Sequence, residues 1–215
     1  MEEVGIVAIA KNEEKYIADW AIYHFNLGFD KIFVIDNNDL DNENQMKVIT
    51  SLQRNNRQIY PVNARGRDKL EELGWQDGAY LSTYNYIKEN HKEIKWLAFI
   101  DLDEYFDFDG LTVKEFLNQD KFKDTDLIHV NWKLYGDNDK VYYEPRPVME
   151  RFTRPAPLDV TYNTYTMGKG FYYNMHVKSL VKVTDKSFRF CTPHTVIFEG
   201  GCKCKNVNGG IENGD

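Results

Sequence analysis

The chain has 215 residues, of which 42% are apolar and 28% charged, and its formal net charge is −7. This length suits one globular domain, and the apolar content excludes a globally disordered chain. The acidic balance excludes non-specific nucleic-acid binding, which needs clustered Lys and Arg. No run of about 18 apolar residues occurs, and the N-terminus lacks a signal peptide's positive region. We therefore expect a cytoplasmic protein with no transmembrane segment, with peripheral membrane contact left open.

The first sixty residues predict alternating strands and helices. The apolar run Val4–Ala10 predicts a strand buried on both faces. Asn12 is the predicted N-cap of the next helix, and Gly28 is predicted to end it at the C′ position. Lys31–Ile35 predicts a second strand, which finishes at Asp36. A βαβ unit of this size predicts that the two strands are parallel.

The rest of the chain predicts an α/β first half and a more β-rich second half. Helices are predicted over Gln45–Asn55, Leu70–Glu93 and Thr112–Leu117, and strands over Gln58–Val62, Trp96–Ile100 and Leu127–Trp132. Short extended pieces are predicted up to Phe198, and the polar residues from Lys203 onward are predicted to fray. The predicted fold class is α/β, with a mostly parallel central sheet flanked by helices.

The chain has three cysteines, Cys191, Cys202 and Cys204. An odd number clustered late in the chain is not a disulfide framework, and it fits a reducing compartment. The Cys202-x-Cys204 spacing lacks the two-residue gap of common zinc knuckles, which disfavours a structural zinc site.

The segment Asp101-Leu102-Asp103 follows a predicted buried strand, where open α/β sheets bind their ligands. If extended geometry continues, Asp101 and Asp103 point to the same side. Two close carboxylates need a cation or good hydration to stay ionised, and Mg²⁺ and Mn²⁺ prefer such oxygens. The alternative is a solvated acidic turn. A calcium loop is disfavoured because Phe106 stands where that loop needs glycine.

An ordered set of segments resembles the family 2-like and family 92-like glycosyltransferases. These segments are Ala10-Lys11-Asn12-Glu13-Glu14, Trp20 with His24, Leu27-Gly28-Phe29-Asp30, Ile35-Asp36-Asn37-Asn38 and Asp101-Leu102-Asp103-Glu104-Tyr105. Gln76, Tyr80, Trp132, Gly136, Arg151-Phe152, Lys178 and His194 also fall in the family's order. The resemblance spans residues 4–198.

The resemblance implies a GT-A fold within one compact domain. Residues 1–110 would bind the nucleotide sugar and residues 111–200 would bind the acceptor, while the polar composition of residues 201–215 predicts a disordered tail. The donor would be a UDP-sugar, with Mn²⁺ or Mg²⁺ joining the acidic segment to the diphosphate. The acceptor would be a carbohydrate or a lipid-linked molecule, and transfer would invert the anomeric centre by direct displacement.

The resemblance also implies residue roles. Donor binding would fall to Ala10, Lys11, Asn12, Glu13, Asp36, Arg65, Gln76, Asp101, Leu102 and Asp103. The metal ligands would be Asp101, Asp103 and His194, with Asp103 the direct ligand, Asp101 nearer the ribose, and His176 an alternative to His194. The acceptor would meet Trp132, Tyr135, Gly136 and Arg151. Asp137 is the preferred catalytic base, followed by Glu104, with Asp139 and Glu150 left open.

Two other functions are compatible with the same residues. One is a non-catalytic nucleotide- or sugar-binding protein that kept the fold. The other is nucleotidyl or phosphoryl transfer, which also pairs carboxylates with Mg²⁺. The second function expects a Gly-rich or Lys-bearing phosphate loop after the first strand, and Lys11-Asn12-Glu13 is not such a loop.

Overall fold

The computed structural model describes residues 2–66, 74–157, 161–162, 171–172 and 176–212. The helices are α1 (Ile17–Asn26), α2 (Asn44–Arg54), α3 (Trp75–Asn90), α4 (Val113–Leu117) and α5 (Val148–Arg151), with a 3-10 turn at Asp120–Phe122. The strands are β1 (Glu3–Ala10), β2 (Lys31–Asp36), β3 (Ile59–Asn63), β4 (Ile94–Phe99), β5 (Leu127–Asn131), β6 (Thr161–Tyr162), β7 (Phe171–Tyr172), β8 (Val177–Lys182), β9 (Phe188–Thr192), β10 (Thr195–Phe198), β11 (Cys204–Asn206) and β12 (Ile211–Glu212).

One sheet of eight strands organises the fold, in the order β12-β11-β5-β8-β4-β1-β2-β3. β1 pairs in parallel with both β2 and β4, and β2 pairs in parallel with β3. This confirms the predicted mostly parallel α/β sheet. The strands are parallel because they are apolar, are covered on both faces and are joined by helical crossovers, as the sequence predicted.

The sheet is enclosed by two apolar layers. α1 and α2 cover one face, where Ile17, Trp20 and Ile49 are fully buried. α3 covers the other face together with the β9–β10 hairpin, and there Tyr80 packs against Phe99 and Phe190. Full burial of one large apolar side chain contributes about 1.5–3 kcal/mol, so these two layers supply most of the drive to fold.

An antiparallel strand extends the parallel part of the sheet. β8 lies between β4 and β5 and runs antiparallel to both. β11 then pairs in parallel with β5, and β12 pairs with β11. The prediction that the residues from Lys203 onward fray is therefore wrong for residues 203–212, and residues 213–215 lie outside the described part of the chain. Cys204 is buried, and pairing with β5 satisfies the hydrogen bonds of backbone groups that the polar composition predicted to be solvated.

The structure confirms the predicted end of α1 but not its predicted start. Gly28 follows α1 with a φ of 100°, as predicted, and Thr112 caps α4 in a reciprocal capping box with Glu115. The prediction of Asn12 as an N-cap is wrong. Asn12 has a φ of 60° and lies in a turn, and α1 begins only at Ile17. Among the described residues, α3 begins at Trp75, and residues 70–73 of its predicted range lie outside them.

Candidate functional site

Three parallel strands end together at one edge of the sheet. The register pairs Ala10 of β1 with Asp36 of β2, and Val7 of β1 with Phe99 of β4. The chain segments that follow these strands carry Lys11-Asn12-Glu13, Asn37-Asn38 and Asp101-Leu102-Asp103. The fold thus gathers at this edge the predicted donor-binding residues of three separate segments, as expected for the carboxyl ends of parallel strands.

Asp36 is buried at the end of β2, with only 1% of the residue exposed. One carboxylate oxygen accepts from Gln45 Nε2 at 2.9 Å and from the backbone N–H of Asn38 at 3.2 Å. The other accepts from Arg65 Nε at 2.8 Å. The structure therefore joins two predicted donor-site residues, Asp36 and Arg65, in an ion pair within the protein.

Gln45 is a central polar residue of this edge that the sequence analysis missed. It is fully buried in the first turn of α2. Its Nε2 donates to Asp36 and to the carbonyl of Ala10, and its Oε1 accepts from the N–H of Glu13 at 3.3 Å. Gln45 thereby fixes the ends of β1 and β2 relative to each other. A polar residue at the start of an amphipathic helix gives no sequence signal for such a role.

The Lys11-Asn12-Glu13 turn is anchored to the loop that follows β2. The backbone N–H of Asn12 donates to Asn38 Oδ1 at 2.7 Å, and Asn12 Oδ1 accepts from Asn42 Nδ2 at 2.9 Å. Lys11 forms an ion pair with Asp39 at 3.2 Å. The Asn38 side chain that accepts from Asn12 is itself buried, so its position is set by the surrounding protein. The turn is therefore rigidly placed beside the end of β1.

The loop that follows β4, residues 101–109, is called the acidic loop, and aromatic side chains of α1 hold it in place. Trp20 Nε1 donates to the carbonyl of Glu104 at 2.8 Å, and the Tyr23 hydroxyl donates to the carbonyl of Phe106 at 2.7 Å. His24 Nε2 accepts from the N–H of Phe106 at 3.4 Å. The Trp20 and His24 pair, which entered the sequence analysis only through the resemblance, therefore positions the loop and lies buried in the core.

Asp101 meets a cation supplied by β8. Lys178 Nζ lies 2.7 Å from Asp101 Oδ2 and 3.3 Å from Glu104 Oε2, and Lys178 is buried. The β4–β8 register pairs Phe99 with Ser179, which brings Lys178 to the start of the acidic loop. Glu104 Oε2 also accepts from the backbone N–H of Asp101 at 2.9 Å. Two carboxylates and one buried ammonium group therefore form a compact network, in which the Asp101 side chain keeps 39% of its surface exposed.

Burial shifts the proton affinity of two side chains at this site, Glu104 and Tyr80. Burial raises the pKa of Glu104 to about 7, although Lys178 and the Asp101 N–H oppose that shift. Burial, followed by the charge of Asp101, raises the pKa of Tyr80. Tyr80 lies one helical turn after Gln76 in α3, so both residues reach the site from the opposite face of the sheet. A carboxyl group that titrates near neutral pH is suited to proton transfer.

Asp103 differs from Asp101 because its side chain is exposed. It has no ion pair within the described part of the chain, yet burial and then the charge of Asp103 raise the pKa of Glu13. Two carboxyl groups from different strand ends thus repel each other, and neither has an ion pair among the described residues. Leu102 between the two aspartates packs into the core and holds the turn in place. This oxygen-rich pair fits a hard divalent ion, which is held by one or two carboxylates and substrate phosphates.

His194 lies at the turn between β9 and β10, close to Lys178 and Asp101. Burial, followed by the charge of Lys178, lowers its pKa, whereas Asp101 opposes this. Its ring centroid is 5.3 Å from that of Trp132 and 6.0 Å from that of His176. The predicted metal ligand and the predicted acceptor residue Trp132 therefore pack against each other. The nitrogen and oxygen ligand atoms of Asp101, Asp103 and His194 do not gather within 4.8 Å of one another in the described structure.

The other predicted catalytic and acceptor residues lie on the segment after β5. Tyr135, Gly136 and Asp137 are exposed, and Asp137 Oδ1 accepts from the N–H of Asp139 at 3.0 Å. Arg151 is instead buried, with its guanidinium 4.9 Å from the Phe152 ring and also against the rings of Tyr16 and Tyr143. Within the described part of the chain, Asp137 has no hydrogen bond or ion pair with Asp101, Glu104 or Lys178, whereas Glu104 belongs to that network.

Comparisons with known proteins find weak but consistent similarity. No protein-family profile matches the chain. The glycosyltransferase family 92 protein At1g27200 of Arabidopsis thaliana is 23% identical over 137 residues, which cover 63% of this chain and 22% of that protein. The glycosyltransferase family 92 protein Os08g0121900 of Oryza sativa subsp. japonica is 26% identical over 107 residues, or 49% of this chain and 16% of that protein.

These matches confirm the predicted resemblance to glycosyltransferases of family 92, at low identity. The chain spans about a fifth of the length of the curated relatives it matches. A solved structure, the WbbM bifunctional glycosyltransferase in its apo form, aligns with 61% of this chain and 23% of its own at 12% identity and a TM-score of 0.38. Among the described residues, no helix combines the length and apolar character needed to cross a bilayer.

Proposed function

We propose that the chain is a metal-dependent glycosyltransferase of the GT-A type, which moves a sugar from a nucleotide-diphospho-sugar to a carbohydrate or lipid-linked acceptor. The observation that carries this proposal is the meeting of Glu13, Asp101, Asp103 and Lys178 at the carboxyl edge of β1 and β4. The similarity to family 92 proteins supports the same class of reaction. A UDP-sugar is the proposed donor.

Charge neutralisation of the leaving diphosphate is the main chemical demand of this reaction. Asp103, with Glu13 beside it, would hold Mn²⁺ or Mg²⁺, and the ion would supply positive charge to the diphosphate. Lys178 is the protein's own cation at the site, and its pairing with Asp101 and Glu104 fixes its position. Asp36 and the buried Asn38 shape the wall on the β2 side, where the base and ribose of the donor would lie.

The general base must take a proton from the acceptor hydroxyl. We assign this role to Glu104 in preference to Asp137, because Glu104 belongs to the Asp101 network and has a pKa of about 7. A base with this pKa is half ionised near neutral pH and accepts a proton readily. Trp132, packed on His194, offers an aromatic face for a sugar ring on the acceptor side.

Thermal unfolding with UDP-sugars, with and without Mn²⁺, tests the proposal. Ligand at about 100 times its Kd should raise the Tm by roughly 5–10 °C in the presence of the metal. Asp103→Asn should abolish the dependence on metal. Asp107→Asn, which changes an exposed acid of the same loop, should behave as the wild-type protein.

Three results would point elsewhere. A shift that is indifferent to metal, or no shift with any nucleotide sugar, would contradict the proposal. A metal-dependent shift with nucleoside triphosphates alone would favour nucleotidyl transfer. Metal-dependent binding with no sugar transfer to any acceptor and no release of UDP would favour the non-catalytic binding protein.

A further inference from the structure

A second group of metal-binding side chains lies on the three strands at the far end of the sheet. His129 is on β5, Cys204 on β11 and Glu212 on β12. Cys204 of β11 lies opposite Leu127 of the neighbouring strand β5 and opposite Glu212 of the neighbouring strand β12. His129 lies two residues after Leu127 on β5. Because strand side chains alternate between the faces, all three side chains project from the same face of the sheet.

The three ligand atoms converge closely. Cys204 Sγ lies 3.6 Å from His129 Nδ1 and 3.9 Å from Glu212 Oε2, and His129 Nδ1 lies 2.5 Å from Glu212 Oε2. Tetrahedral zinc bonded to nitrogen, oxygen and sulfur at typical lengths places its ligand atoms about 3.3–3.7 Å apart. The two sulfur distances are thus close to those of a zinc site. Only the His129–Glu212 pair must open, by about 1 Å.

The arrangement does not suit a proton relay. A nucleophilic cysteine needs its histidine between the thiol and the acid, so that each partner uses a different ring nitrogen. Here Cys204 and Glu212 both approach Nδ1 of His129. The other ring nitrogen, Nε2, lies 2.7 Å from Thr195 Oγ1 on β10. A thiol and a carboxylate that both approach the same ring nitrogen can bind one cation together with that nitrogen.

We propose that His129, Cys204 and Glu212 form a zinc site, distinct from the acidic loop at the strand edge. A sulfur, an imidazole nitrogen and a single carboxylate together favour Zn²⁺ over Mg²⁺ or Mn²⁺, which prefer oxygen ligands. The site joins β11 and β12 to β5, so zinc would lock the C-terminal strands onto the sheet. This inference does not depend on the proposed glycosyl transfer.

The surroundings match those of known zinc ligands. A ligating histidine usually donates its second ring N–H to a neighbouring oxygen, and Thr195 Oγ1 is placed to accept it. Cys204 is buried, whereas about a third of the Glu212 side chain is exposed, which gives the ion a route from solvent. Zinc binds the thiolate form of cysteine, so metal binding would release the thiol proton of Cys204.

Cobalt substitution tests the proposal directly. Metal-stripped protein titrated with Co²⁺ should develop a thiolate-to-cobalt charge-transfer band that saturates at one ion per chain and disappears on addition of Zn²⁺. Cys204→Ser should lose the band. Cys191→Ser, which alters an exposed cysteine of β9, should keep it. Asp103→Asn should also keep the band, which separates this site from the proposed donor site.

A second variant covers the case in which Cys204→Ser fails to fold. Glu212→Gln removes one charged ligand from a partly exposed position and should weaken zinc binding at least tenfold, measured by competition with a chromophoric chelator. Absence of the band in wild-type protein would overturn the proposal. So would a band that survives Cys204→Ser, or zinc affinity unchanged by Glu212→Gln.

Discussion

Acid should weaken this fold through His24, a fully buried histidine in α1. Burial lowers its pKa to about 3, and the hydrogen-bond contact of Nδ1 with the Trp20 carbonyl only partly opposes this shift. In the unfolded chain the ring should titrate near its ordinary value of about 6.5. The folded pKa therefore lies below the unfolded one. The stability that depends on neutral His24 is complete above about pH 6.5 and is lost as the pH falls toward 3.

The size of the loss follows from linkage. At about pH 5, protonation favours the unfolded chain by roughly 30-fold, which corresponds to about 2 kcal/mol relative to pH 7.5. Glu104 acts in the opposite sense over the same interval. Its folded pKa of about 7 is raised, so its contribution to stability grows as the pH falls from 7 toward 4.5. Comparing variants that keep Glu104 removes this contribution from the difference.

Urea unfolding followed by tryptophan fluorescence at about pH 7.5 and about pH 5 measures the effect. His24→Gln and His24→Asn should each lose about 2 kcal/mol less than wild type between these pH values, whatever their stability at pH 7.5. Ile17→Val, a packing change in the same helix, should lower stability by about 1 kcal/mol equally at both pH values. Equal pH dependence in wild type and both His24 variants would refute the reasoning.

Two further predictions concern the strand edge. Arg65→Met removes the ion-pair partner of the buried Asp36 carboxylate and should lower the free energy of unfolding, measured with urea, by about 3 kcal/mol. Arg54→Met at an exposed position should change it by less than about 0.5 kcal/mol. Similar values for the two variants would show that the hydrogen bonds from Gln45 and the Asn38 N–H are enough to stabilise the buried Asp36 carboxylate. Glu104→Gln should abolish sugar transfer while UDP-sugar binding persists, and wild-type kcat should rise with pH through about 7. Retained transfer in this variant, with loss in Asp137→Asn, would return the role of base to Asp137.

The parallel half of the sheet could be predicted from the sequence because its signals are local. Each apolar strand needs cover on both faces, and the helical periods between the strands supply it. Asp101 and Asp103 could be placed at the carboxyl end of the sheet for the same reason, since only Ile100 separates Asp101 from β4. The end of α1 at Gly28 was equally local, because the backbone conformation of a helix end depends on the nearest few residues.

Contacts between distant segments could not be read in this way. Lys178 reaches Asp101 only because β8 inserts antiparallel between β4 and β5, with Phe99 opposite Ser179. Gln45 joins two strand ends from the first turn of a helix. Nothing in the residues around Lys178 or Gln45 reports these partners, because strand order is set by the packing of the whole sheet.

The C-terminal strands show the same division. Their polar composition predicted fraying, but β11 adds to the edge of β5 and buries Cys204 there. The sequence spacing of Cys202 and Cys204 disfavoured zinc, whereas the structure places Cys204 beside His129 and Glu212. The sequence by itself determined the α/β class, the parallel strands and the acidic edge, because periodicity and strand ends are local properties. Only the tertiary structure decided which charges and ligands meet, because those meetings depend on the register between strands far apart in the chain.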